Sequence, residues 1–136
     1  MWTSAPDTTE AQWVSATSAA PWSARRNHAV FELNSRLWVA GGESCTGTRL
    51  SDVWFSTIGG TTADGSQWTQ GKDLPGPLSE GAAVVFGGSV YLLGGIDKNG
   101  AVVNSVVSSS GNNWQSHNAP WSGKLSVLTL ALVVIL

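Results

Sequence analysis

The chain has 136 residues, of which 12% are charged and 42% hydrophobic, with a formal net charge of -2 and eight tryptophans. That balance is globular, and seven scattered basic residues leave no footprint for nucleic acid or an anionic membrane surface. The single cysteine, Cys45, rules out an internal disulfide framework and any Cys-based metal site within the chain.

Residues Met1 to Ala20 run from Trp2-Thr3-Ser4 to Trp13 and match Trp54-Phe55-Ser56 to Trp68 in type, so they read as the end of a preceding unit. No basic and apolar leader opens the chain. The first full unit is expected over residues 21–73. Its first hairpin pairs Ala29-Val30-Phe31-Glu32-Leu33 with Leu37-Trp38-Val39-Ala40 around Asn34-Ser35 and ends at Gly41-Gly42. Strands are expected at about 28–33, 36–41, 50–56 and 66–70, with further turns near Thr46-Gly47 and Asp64-Gly65. The second unit, residues 74–119, repeats the plan 53 positions later, where Gly94-Gly95 answers Gly41-Gly42. Its strands are expected near 81–86, 89–94, 102–108 and 113–117, with Asp97-Lys98-Asn99-Gly100 as the middle turn. Residues 120–136 begin a third, degenerate or truncated copy; two valines, Val133 and Val134, stand where a hairpin turn belongs, so one continuous strand or a helix is expected, packed on the preceding blade. The strongly apolar stretch Leu125 to Leu136, twelve residues with Ser126 and Thr129 as its polar members, is too short to span a bilayer as a helix.

A period of about 50 residues with four short strands per unit signals propeller blades. Only six of the 29 positions aligned from His28 to Ser56 are identical, namely Ala29, Gly41, Gly42, Gly47, Val53 and Ser56, so the shared plan carries the inference more than identity does. No 3.6-residue apolar period appears, and almost no helix is expected. The fold class is all-β: a single, open partial propeller of four-stranded antiparallel blades. Closure needs at least four blades, roughly 200 residues at this spacing, so the isolated chain is expected to be marginal, aggregating or oligomeric, with further blades or self-association covering its faces.

The series Arg25, His28, an apolar strand, Gly41-Gly42, Asp52-Val53-Trp54 and Trp68 resembles the kelch repeat of galactose oxidase-like propellers. The second copy departs from it at Leu78, Gly81 and Val107, where the first has Arg25, His28 and Trp54. The resemblance implies a binding scaffold, with protein the commonest partner and carbohydrate enzymes a minority class. Structural signature positions are then Gly41, Gly42, Trp54, Trp68, Gly94, Gly95 and Trp114. The double glycine suits a tight turn or close approach, and Trp68 and Trp114 suit packing between blades.

Candidate ligand contacts are Arg25, Arg26, Asn27, Glu43, Arg49, Asp97 and Lys98, and the loops 43–49, 56–65 and 97–101 are the surfaces on which recognition is expected. Arg25 and His28 stand near the start of an innermost strand; the alternative to contact is that Arg25 bonds an adjacent blade and His28 caps its loop. Neither a nucleophile elbow nor a zinc-type histidine spacing occurs, so no catalytic residue, metal or cofactor is expected. Tyr91, at the repeat position of Trp38, reads as core, and Cys45 as a loop residue. The rival readings are part of a carbohydrate-active propeller enzyme, for which scattered carboxylates leave room, and a structural cell-surface protein.

Overall fold

The computed structural model describes residues 2–4, 13–57 and 67–122. Within them the chain forms twelve strands and no helix. Strands β1 (Trp2–Ser4) and β2 (Trp13–Ser15) pair with each other. Two four-stranded antiparallel blades follow, β4 (Ala29–Glu32), β5 (Arg36–Ala40), β7 (Val53–Thr57) and β8 (Thr69–Gln70), then β9 (Ala82–Phe86), β10 (Ser89–Leu93), β11 (Val106–Ser109) and β12 (Gln115–His117), each in sequence order. A small ribbon joins β3 (Arg25–Arg26) to β6 (Glu43–Ser44) beside the first blade. The protein is thus an all-β, open, partial β-propeller.

Alternation decides which residues meet between the blades. In the first blade Phe31, Trp38 and Phe55 lie in one row across the sheet, with Ala29, Ala40 and Val53 in the next. Phe31 and Trp38 stack at 6.1 Å, Trp38 lies 4.8 Å from Phe55, and the Arg36 guanidinium sits 4.7 Å over the Phe55 ring. The second blade faces them with Val90, Leu92 and Val107, all buried in the same core. Each fully buried aliphatic side chain here contributes about 1.5–3 kcal/mol.

The hairpin turns differ in chemistry but share backbone shape. Asn34 and Ser35 both adopt φ of 55°, while Gly87 and Gly88 take 56° and 76°. This is the turn that follows the twist of antiparallel strands.

The second strand of each blade stops at Ala40 or Leu93, one residue short of expectation, because the glycines turn left-handed. The third strands start at Val53 and Val106, not at 50 and 102. Residues 50–52 serve elsewhere: Leu50 donates to Gly42 O and accepts from Leu78, and Ser51 O accepts from Leu74. The expected turn at Asp64-Gly65 and the tail from Leu125 to Leu136 lie outside the described residues. Tyr91 is half-buried, unlike its counterpart Trp38 at 2% exposure, because Trp38 faces the second blade across the core.

Candidate functional site

The double glycine is where the first unit is tied to the chain entering the second. Gly41 has φ of 61° and a Cβ there would stand 2.4 Å from Leu78 O; at Gly42, with φ of 100°, it would stand 2.8 Å from both Arg26 O and the His28 Cβ. No side chain fits. Gly42 N donates to Leu78 O at 2.9 Å, closing the join. Gly95 repeats this geometry against Ser79 O at 2.6 Å.

This crossing places Arg25 inside the protein. Its guanidinium, 2% exposed, donates to Gly41 O at 2.9 Å and forms a bidentate pair with Asp52 at 2.8 and 2.7 Å. Trp54 Nε1 completes the carboxylate's shell at 2.7 Å. Burial pushes the Asp52 carboxyl up, but the bonds from Arg25 and Trp54 outweigh it and hold the group below its ordinary value. Arg25 is therefore not presented to a ligand, and its carboxylate partner belongs to its own repeat rather than to the adjacent blade. The second repeat meets the same demand without charge: at the position of Asp52, Ser105 donates its hydroxyl to Gly94 O at 3.2 Å.

The next residues form the exposed part of the site. Arg26 and Glu43 face each other across the β3–β6 ribbon, and Glu43 also bridges to Arg49 on the far side of the 44–48 turn. Arg26 Nη2 lies 3.0 Å and Arg49 Nη2 3.9 Å from the Glu43 carboxylate. The Glu43 side chain is only 8% exposed, whereas that of Arg26 is 68% exposed. The hydrogen bond from Arg26 lowers the Glu43 carboxyl and raises the Arg26 guanidinium. A buried carboxylate thus fixes one face of two arginines, and Arg26 keeps the rest of its donor fork in water. An open cleft of about 310 Å³, lined by Ala24, Arg25, Arg26, Glu43 and Cys45, lies at this point. Cys45 is exposed on its rim.

Asn27 belongs to the neighbouring join. It and Glu80, one repeat apart, both have positive φ, of 56° and 59°, and Asn27 Nδ2 donates to Glu80 Oε1 at 3.1 Å. His28, between Gly42 and the strand start, is half-buried with Nδ1 unpartnered among the described residues; burial and then the Arg25 charge push its pKa down. Asp97 accepts from Asn99 N and Ala101 N at 2.8 and 3.0 Å, which holds its carboxyl low and shapes the turn. Asp97 is thereby a turn-maker, and Lys98 is exposed on the same loop. The structure does not bring these two into the Arg26 cluster.

The tryptophans take separate roles. Trp114 reaches across to the first blade, edge-on to Phe31 at 6.3 Å and donating to Lys72 O at 3.1 Å. Trp68 sits edge-on to Trp22 at 4.5 Å, and Trp22 also approaches Trp54 at 5.9 Å, on the first blade's opposite face. Sequence reasoning overlooked Trp22 as part of that cluster, although its recurrence with Trp121 in Ala-Pro-Trp-Ser was the available signal. Among the described residues no group of three or more His, Cys, Asp or Glu is placed to hold a metal, and no helix is long and apolar enough to cross a membrane.

The fold defines a protein of the β-propeller class. The solved structure of YjhT matches it with a TM-score of 0.70 over 90% of this chain and 46% of its own, at 15% identity. In sequence, the chain is 33% identical over 73 residues to Alpha-scruin of Limulus polyphemus, a match covering 54% of this chain and 7% of that protein. The chain spans less than half the length of either. No family profile matches it.

Proposed function

We propose that the chain is a non-catalytic, kelch-type recognition module that binds a protein through the Arg26–Glu43–Arg49 surface and the loops around it. The observation that carries this reading is a comparison between the two repeats. One repeat on, the same three backbone positions are Ser79, Ile96 and Val102, joined by the same pair of β-bridges. Neutral residues make the same backbone pairing there, so that pairing does not itself require the charges of the first repeat.

An exposed guanidinium held from behind by a buried carboxylate is pre-organised for a carbonyl or carboxylate of a partner. The kelch-like series and the match to Alpha-scruin support placing the chain among kelch-type modules. The test is capture of partners by immobilised chain, quantified for wild type, Arg26→Glu and Lys98→Glu. Partners retained by wild type and Lys98→Glu but lost about tenfold with Arg26→Glu support the reading. Retention that ignores Arg26→Glu, or turnover of a sugar by the purified chain, refutes it.

A further inference from the structure

The middle loops of the two repeats share one backbone plan. In the second, Asp97 N donates to Ala101 O at 2.9 Å and Gly100 N to Asp97 O at 3.0 Å, closing a three-residue loop. In the first, Ser44 N donates to Thr48 O at 2.9 Å and Gly47 N to Ser44 O at 3.0 Å. Gly100 and Gly47 both turn left-handed, with φ of 77° and 85°, as hairpin loops of this length require. The residue before the glycine differs. It is Thr46 in the first loop and Asn99 in the second, the only asparagine of the chain that glycine follows. Asn99 and Gly100 are both exposed.

An asparagine before glycine can react with its own backbone. The Gly100 nitrogen attacks Asn99 Cγ and passes its proton to water; the Cγ–Nδ2 bond breaks, and Nδ2 takes a proton back from water and leaves as ammonia. A five-membered succinimide remains, closed through the Gly100 nitrogen. Water then opens the ring with no change in oxidation state. Addition at Cγ restores the ordinary backbone with an aspartyl side chain, and addition at the main-chain carbonyl carbon leaves an isoaspartyl residue whose backbone runs through the β-carbon. Glycine leaves the attacking nitrogen unshielded, and open space surrounds the point where a Cβ of residue 100 would stand.

The Asp97 carboxylate stands against this reaction. Its Oδ1 accepts from Asn99 N at 2.8 Å and from Ala101 N at 3.0 Å, while the attacking Gly100 N is bonded to the Asp97 carbonyl. Cyclisation needs Gly100 N to leave that acceptor and swing onto the Asn99 side chain, so the loop must open first. The brace in the first repeat is weaker, since the neutral Ser44 Oγ accepts only from Thr48 N among the backbone donors of that loop, at 3.1 Å. We infer that Asn99 is a site of spontaneous deamidation and that Asp97 sets its rate by holding the loop closed. Modification adds a carboxylate to a loop in which the Asp97 and Lys98 charges now cancel. The isoaspartyl form also puts one more backbone carbon between Ile96 and Val102, whose bridge closes the ribbon. The site is separate from the Arg26 surface and does not depend on it.

The purified chain is incubated at neutral pH, digested and followed by mass spectrometry, with fragmentation that separates isoaspartyl from aspartyl products. The one-dalton gain should appear at Asn99 ahead of the other six asparagines. It should form about tenfold more slowly than in the same chain held unfolded in urea. Asp97→Ala removes both Oδ1 bonds and should speed the reaction about tenfold, the effect of one charge-assisted hydrogen bond on loop opening. Where Asp97→Ala unsettles the fold, Thr46→Asn is the variant: it sets the same dipeptide under the weaker Ser44 brace and should react faster than Asn99 in the same molecule. Equal rates in the folded and unfolded chain, an intact Asn99, faster modification at another native asparagine, no acceleration in a folded Asp97→Ala, or Thr46→Asn reacting no faster than Asn99 would overturn the inference.

Discussion

Replacing Arg25 by leucine gives the first repeat the residue that the second carries at Leu78, yet the substitution should be severely destabilising on its own. Arg25→Leu strands Asp52 beneath the crossing chain with only Trp54 Nε1 as a strong donor and leaves Gly41 O without its guanidinium. Breaking a buried pair costs about 3–5 kcal/mol. Because Asp52 keeps 23% side-chain exposure, water can reach the orphaned carboxylate, and the lower end, about 3 kcal/mol, is expected. Adding Asp52→Ser completes the second repeat's solution, since a serine hydroxyl there can bond Gly41 O as Ser105 bonds Gly94 O at 3.2 Å. The double variant should recover about 2 kcal/mol of the loss, a coupling of the size that contacting residues show. Urea denaturation followed by tryptophan fluorescence reads both: with a slope of about 2 kcal/mol/M, the single variant should lower the midpoint by roughly 1.5 M and the double by about 0.5 M. A single variant within about 0.5 kcal/mol of wild type, or strictly additive losses, would refute the argument.

Gly42→Ala should cost about 2–4 kcal/mol, from positive-φ strain plus the 2.8 Å approaches to Arg26 O and His28, whereas Gly87→Ala, with open space at its Cβ, should cost about 1 kcal/mol; equal losses in urea melts would contradict the close-approach account. Because the folded-state pKa of His28 is depressed, its neutral form is favoured in the fold, so stability is full above its usual 6.5 and falls as pH drops through the lowered value. Urea midpoints at pH 7.5 and 5 should show that loss in wild type and a smaller one in His28→Ala; identical pH dependence would disprove it. Trp114→Ala removes the Phe31 contact and the Lys72 hydrogen bond from a half-buried site and should cost about 2–3 kcal/mol, and a loss below about 1 kcal/mol in calorimetry would show that the blades are coupled elsewhere.

The blade plan was legible in the residues because it rests on local rules. Alternation in Ala29 to Leu33 and Leu37 to Ala40, turn formers at Asn34-Ser35 and Gly87-Gly88, and the recurrence of Gly-Gly at a constant offset all act over a few neighbours along the chain. Partnership across the repeat was not legible. Arg25 finds Asp52, 27 positions on, only because the double glycine lets the chain at Leu78 pass at contact distance, where the Arg25 side chain is buried. The same holds for Arg26, Glu43 and Arg49: their types were evident, but which charge is buried and which is offered to solvent follows from the β3–β6 ribbon. The middle turn of the second repeat divides the same way. Asp97-Lys98-Asn99-Gly100 reads as a turn in sequence, but which backbone donors the Asp97 carboxylate and carbonyl hold is decided where Ile96 and Val102 pair, because the polar groups of a turn find their partners only once the segments on either side are brought into register.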